Sequence, residues 1–258
     1  MLVIEETYRS GIVVLGHRGA QRDAPENTLA SFHEAIAQGA HGVEMDVKLS
    51  RDGHVVVMHD RTVDRTTDGV GRVADLTLSD LKTLDAGAKF NPRFVGERIP
   101  TLDEVIEAVP PPTLLNIELT NYGSIGDGLE GRVAEAVRRH NAGDRVILSS
   151  FHPLTLRAAR RASSLPLALL TGFYKPLWLP NTWLAPLIPH SFLHPQADQV
   201  TPGLVARMHL KGKRMNVWIG STANETEAAV RSIAALGVDG IITNVPGLAR
   251  MAIVSGQN

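Results

Sequence analysis

Gly42-Val43-Glu44-Met45-Asp46-Val47 places two carboxylates two residues apart in a run rich in β-formers. A strand sends residues i and i+2 to one side, so Glu44 and Asp46 share a face opposite Val43, Met45 and Val47. Their Cα atoms stand roughly 6.6 Å apart, a span over which both carboxylates can converge on one ion. Asp52-Gly53 marks a tight turn before Val55-Val56-Val57-Met58-His59-Asp60, and the hairpin brings His59 back beside the acids. Two acids and an imidazole on one surface are the elements of a metal-assisted active site.

Other reactive residues fall at the ends of predicted strands: His17 and Arg18, Glu118, Ser149 and Ser150, Trp218, Thr243 and Asn244. Glu44, Asp46 and Glu118 offer only oxygen, which suits one divalent cation of the Mg²⁺ or Ca²⁺ kind better than zinc. Imidazole titrates near neutrality, so His17 and His59 are candidates for acid and base. Arg18 is a planar donor for phosphate or carboxylate. The structural alternatives are a salt bridge from Arg18 to Glu26, and acids paired with Lys48 and Arg18. His33, His41, His140, His152 and His209 read as hydrogen-bonded structural residues.

Those side chains need a scaffold. Short apolar runs at 12–15, 42–47, 114–119, 146–149, 167–170, 192–194, 216–219 and 240–243 read as strands. Helical spacing covers 29–37, 102–109, 131–140, 153–161, 203–211 and 225–236, with Thr28 or Asn27 capping the first. Alternating strands and helices predict an α/β fold with a parallel sheet, and eight strands predict a closed (β/α)₈ TIM barrel. The 54–58 run is then an antiparallel addition to the second strand. Residues 61–100 are polar and weakly periodic with a short helix near 79–84, a connection long enough to be functional. No repeat or linker divides residues 1–258, so a single domain is expected.

The chain of 258 residues carries a net charge of -1 and no cysteine. No basic stretch with interleaved aromatics points to nucleic acid, and neither disulfides nor a thiol nucleophile is available. Glu5 and Glu6 stand where a secretory signal needs a basic segment, so a cytoplasmic location is expected. Residues 176–193 are apolar but broken by Pro176, Pro180, Pro186 and Pro189, a poor membrane-spanning pattern.

His17-Arg18-Gly19, Glu26-Asn27-Thr28, Glu44-x-Asp46, Asp52-Gly53, His59-Asp60, Glu118, Ser150-Phe151, Val217-Trp218 and the run from Gly237 to Asn244-x-Pro246 together resemble the glycerophosphodiester phosphodiesterases. The resemblance implies that residues 61–100 are a small insertion after the second strand. It also implies metal-dependent hydrolysis of a small glycerophosphodiester to sn-glycerol 3-phosphate and an alcohol. By the same likeness Glu44, Asp46 and Glu118 are metal ligands and His17 and His59 the acid/base pair. Arg18, Asn27 and Trp218 are assigned to the substrate side.

Two departures stand out. The family's usual lysine two residues after its third acidic ligand is Thr120 here, and Ile219-Gly220-Ser221 replaces Thr-Val-Asn. Thr120 offers phosphate no charge, so Thr120→Lys is expected to raise turnover unless another cation, such as Lys175, fills that place. Residues 173–193, with Trp178 and Trp183, are either a rim loop or an apolar lip for a lipid chain, membrane surface or second copy. Such a lip favours lysophospholipid substrates, and a lysophospholipase-D-like enzyme, which shares the same catalytic residues, is the runner-up. A non-catalytic phosphate-binding barrel is the rival from another class.

Overall fold

The computed structural model describes residues 2–121, 126–172, 189–220 and 225–255. Strands β1 (Val13–Gly16), β2 (Gly42–Leu49), β4 (Leu114–Leu119), β5 (Val146–Ser150), β6 (Leu167–Thr171), β7 (Phe192–Pro195), β8 (Arg214–Trp218) and β9 (Gly240–Thr243) form a parallel sheet. β1 pairs with both β9 and β2, which closes the barrel. β3 (Val55–Val57) lies antiparallel on β2, with Val47 opposite Val57. The eight expected barrel strands are all present, each within two residues of its expected bounds.

Strand parity divides each strand between two environments. Val43, Met45, Val47, Leu115, Ile117, Leu119 and Leu148 turn outward and bury against Phe32, Val105, Val133 and Leu156 of the surrounding helices. Full burial of such side chains is worth roughly 1.5–3 kcal/mol each, so this layer supplies most of the adhesion between barrel and helices. The inward residues change character along the axis. Val13, Leu15, Leu114, Ile147, Ala168, Phe192 and Ile242 form an apolar lower layer. Asn116, Ser149, His194 and Asn216 are buried inward residues further along β4, β5, β7 and β8.

The helices α2 (Leu29–Ala37), α4 (Leu102–Ala108), α5 (Leu129–Arg139), α6 (Pro153–Ala162), α7 (Pro202–Leu210) and α8 (Glu227–Ala234) occupy the expected intervals. Thr28 Oγ1 caps α2 by accepting from Ser31 N, and Thr101 with Glu104 makes a capping box at α4. Two helices lie outside the periodic pattern. α1 (Leu2–Arg9) seals the lower end, with Ile4 in the apolar layer. Glu5 forms a bidentate pair with Arg214 at 2.9 and 2.6 Å, and Asn216 Nδ2 donates to the Tyr8 hydroxyl at 2.6 Å. α9 (Pro246–Val254) packs on α8 and β1.

Residues 61–100 build a lobe at the opposite end, with α3 (Leu78–Thr83) started by a Thr77–Asp80 capping box. The lobe has a core of its own: Val56, Met58, Val63, Val73, Leu81, Ala86 and Ile99. Among the described residues no helix is long and apolar enough to cross a membrane. Lys175, Trp178 and Trp183 lie outside the described residues, whereas the end of the 173–193 segment enters β7.

Candidate active site

β2 and β4 are paired so that Asp46 stands opposite Glu118. This register, added to the parity of Glu44 and Asp46, gathers three carboxylates whose nearest oxygens all lie within 4.8 Å of one another. Glu44 and Asp46 are buried. Arg18 N donates to Glu44 Oε2 at 3.0 Å, while Glu44 Oε1 is buried with no hydrogen-bond partner. Burial, Asp46 and Glu118 push the Glu44 carboxyl well above its ordinary range. Burial would raise Asp46 too, but Arg18 and His59 hold it low. A buried oxygen without a donor inside an all-oxygen cluster fits a hard divalent cation.

Arg18 and Asn27 depend on left-handed backbone, at φ 52° and 59°. The turn closes through Asn27 N, which donates to Arg18 O at 3.0 Å. Gly19 has φ 86°, and a Cβ there would stand 2.2 Å from Ser31 Oγ, so only glycine fits the His-Arg-Gly turn. Arg18 Nη1 bonds Glu26 Oε1 at 2.9 Å, and Nε lies 3.2 Å from Asp46 Oδ2. The Glu26 bridge raised as a structural alternative therefore coexists with a place at the carboxylate cluster. Asn27 is buried, donating to Asp46 Oδ2 at 2.9 Å. Its contact is with the acid, behind the open surface.

His17 follows β1, and its Nδ1 lies 2.7 Å from Asn244 Oδ1. Gln21 Nε2 also lies 2.7 Å from Nδ1, so that nitrogen faces both an amide oxygen and an amide donor, while Nε2 stands 3.9 Å from Glu44 Oε2. Gln21 Nε2 donates to the same Asn244 oxygen. Burial and Arg18 lower the His17 pKa to about 4. His59 arrives differently: β3 ends at Val57, Met58 tucks into the lobe core, and a bend at 59–60 carries the imidazole to the cavity. Its Nδ1 is 2.6 Å from Asp60 Oδ1. Asp60 accepts from Arg65, which also bridges Glu26 at 2.6 and 2.8 Å. A chain of hydrogen bonds and ion pairs thus runs from His59 through Asp60, Arg65 and Glu26 to Arg18 and Asp46. The Arg65 hydrogen bond and that of His59 lower Asp60 to about 2 against the opposing effect of burial.

His17, Arg18, Glu44, His59, Asp60 and Glu118 line one open cavity of about 1060 Å³, with Lys48, Thr120, Phe151 and Trp218 on its walls. The Trp218 indole donates to Thr171 O at 3.1 Å and meets Phe151 edge-on at 5.9 Å. Lys48 Nζ bonds Thr120 Oγ1 at 2.5 Å. The cavity thus sets Arg18, two imidazoles and an aromatic wall around the carboxylate cluster.

The sequence model of the glycerophosphoryl diester phosphodiesterase family matches residues 17–248. The chain belongs to that family. Glycerophosphodiester phosphodiesterase of Caldanaerobacter subterraneus subsp. tengcongensis is 42% identical over 236 residues, covering 91% of this chain and 94% of that one. The structure of an Oleispira antarctica phosphodiesterase in complex with the product sn-glycerol-3-phosphate superposes with a TM-score of 0.84 at 30% identity. It covers 96% of this chain and 99% of its own. A glycerophosphodiester phosphodiesterase from Agrobacterium tumefaciens gives 0.78 at 30% identity, over 93% of this chain and 99% of its own.

Within this phosphodiesterase, several contributors escaped sequence reading. Asn244 stands out in the sequence as a strand-end residue and in the Asn244-x-Pro246 motif, with no role assigned, yet it orients His17. Glu225 is buried and accepts from Asn244 N at 2.9 Å and Thr243 Oγ1 at 3.2 Å, bracing that loop. No local pattern marks Glu225. Lys48 did carry a signal, since the parity that pairs Glu44 with Asp46 extends to it.

Proposed function

We propose that the protein hydrolyses glycerophosphodiesters to sn-glycerol 3-phosphate and an alcohol, using one Mg²⁺ or Ca²⁺ held by Glu44, Asp46 and Glu118. The observation that carries this reading is the carboxylate cluster with its buried, unpartnered Glu44 oxygen, flanked by two histidines on one cavity. The family match over residues 17–248 supports the enzyme class. A bound cation would neutralise the anionic phosphate oxygens and make phosphorus electrophilic.

Arg18 completes that neutralisation and orients the diester. Asn27 keeps Asp46 in place through its side-chain amide. His17, neutral at pH 7, takes the proton of the attacking oxygen as it bonds to phosphorus. The bond from phosphorus to the alcohol oxygen breaks, and His59 delivers a proton to that leaving oxygen. Asp60 on His59 Nδ1 fixes the ring and offsets the charge it carries while it holds that proton. Trp218 and Phe151 give the organic part of the substrate an apolar wall.

The test is a panel of glycerophosphodiesters and lysophospholipids, run with EDTA, Mg²⁺ and Ca²⁺ and read by product analysis. Glycerol 3-phosphate with free choline or ethanolamine, abolished by EDTA, is the expected result. Lysophosphatidic or cyclic phosphate as the main product would move the enzyme to the lysophospholipase-D-like class. No turnover on any member would leave a phosphate-binding barrel.

A further inference from the structure

We infer that Lys48 is a phosphate-contacting cation of this site, held in place by Thr120, and that it sets the preference for a phosphate ester dianion. The inference rests on the hydrolase reading above and deepens it. In β2, Glu44, Asp46 and Lys48 are successive inward residues. The register that sets Asp46 opposite Glu118 and Val47 opposite Leu119 brings Lys48 beside Thr120. The layer above the carboxylates thus holds an ammonium on one strand and a hydroxyl on its neighbour, both on the cavity wall.

Lys48 Nζ donates to Thr120 Oγ1 at 2.5 Å and to Thr120 O at 3.3 Å. The hydroxyl in turn donates to Val47 O at 2.8 Å, so its lone pairs face the lysine. An ammonium has three hydrogens. Thr120 takes two and fixes the direction of the third, which remains for a ligand oxygen. Both of these acceptors are neutral, whereas Arg18 and Arg65 are each bound to carboxylates. Asp46, Glu118 and Asp60 also attract Lys48, and a cation held by Asp46 and Glu118 would offset part of that attraction and leave the ammonium for an incoming anion. The expectation that Thr120→Lys raises turnover is reversed by this arrangement, because a lysine at 120 would set a second ammonium against the first.

The experiment uses enzyme loaded with Ca²⁺ or Mg²⁺. It measures calorimetric binding of sn-glycerol 3-phosphate together with kcat and KM on glycerophosphocholine at pH 8, where the product is a dianion and the diester a monoanion. Lys48→Met should weaken product binding by about 10- to 100-fold, the scale of a lost charge-assisted hydrogen bond. KM for the diester should rise less, since a cation interacts less with one charge than with two. Lys48→Arg should stay within a few-fold of wild type, and the exchange Lys48→Thr/Thr120→Lys should recover most of the product affinity. Thr120→Lys alone should bring no gain in kcat/KM.

Wild-type product affinity in Lys48→Met, or equal losses for monoanion and dianion, would overturn the inference. If Lys48→Met does not fold, Thr120→Val carries the test: product binding should weaken several-fold, and unchanged binding would refute the anchor and with it the proposal. Wild-type enzyme that neither cleaves the diester nor binds the product would instead defeat the hydrolase reading.

Discussion

Replacing Glu44 with glutamine should make the metal-free protein more stable while removing its ability to gain stability from a divalent cation. Three carboxylate oxygens lie within 4.8 Å of one another, and two unit charges at that distance repel by about 3.5 kcal/mol at an effective dielectric constant near 20. Glu44 takes part in two such pairs, with Asp46 and with Glu118. Proton uptake by the raised Glu44 carboxyl and attraction from Arg18 cancel much of this, leaving a gain of about 2 kcal/mol for Glu44→Gln. In a chain of this length that corresponds to a Tm increase of about 4–8 °C. The sign with pH follows from the raised pKa: the folded state binds more protons than the unfolded one, so wild-type stability falls as pH rises above the ordinary carboxylate range. Glu44→Gln lacks that fall, and its advantage should grow with pH. The assay is thermal unfolding in EDTA and in Ca²⁺ or Mg²⁺ at several pH values. Wild type should gain Tm with the ion, and Glu44→Gln should not. A lower metal-free Tm in the variant, or an ion-dependent shift equal to wild type, would refute the reasoning.

His17→Ala and His59→Ala should each reduce kcat/KM by about 100-fold or more with the fold intact; a variant near the wild-type rate would remove that histidine from the mechanism. His194, buried in the barrel, has its pKa lowered by burial to about 3. Its stability contribution is therefore complete above about pH 6.5 and is lost as pH falls, because the unfolded chain takes up the proton first. Between pH 6.5 and 5 wild type should lose about 2 kcal/mol more than His194→Gln in urea unfolding, and equal losses would refute this. Gly19→Ala forces a Cβ against Ser31 at φ 86° and should cost about 1–3 kcal/mol together with most activity; an unchanged urea midpoint would show that the turn relaxes freely.

The acidic cluster was largely legible from sequence. Parity along β2 is a local property, so Glu44 and Asp46 had to share a face once the segment was a strand, and alternating apolar runs marked the eight strands around it. Strand-end position drew His17 and Glu118 to the same face, the hairpin brought in His59, and the resemblance gave them their roles. Tertiary structure decided the rest, because the partners lie far apart in sequence and only the barrel closure joins them. His17 is held by Asn244, 227 residues away. α1 precedes the first strand, outside the strand–helix alternation, and its place depends on Arg214, 209 residues on. His59 reaches the cavity through a bend held by the core of the lobe, which simple alternation does not foresee. Lys48 faces the site by the same parity as the acids. Its partnership with Thr120 arises from the β2–β4 register, which closes only when the whole sheet does.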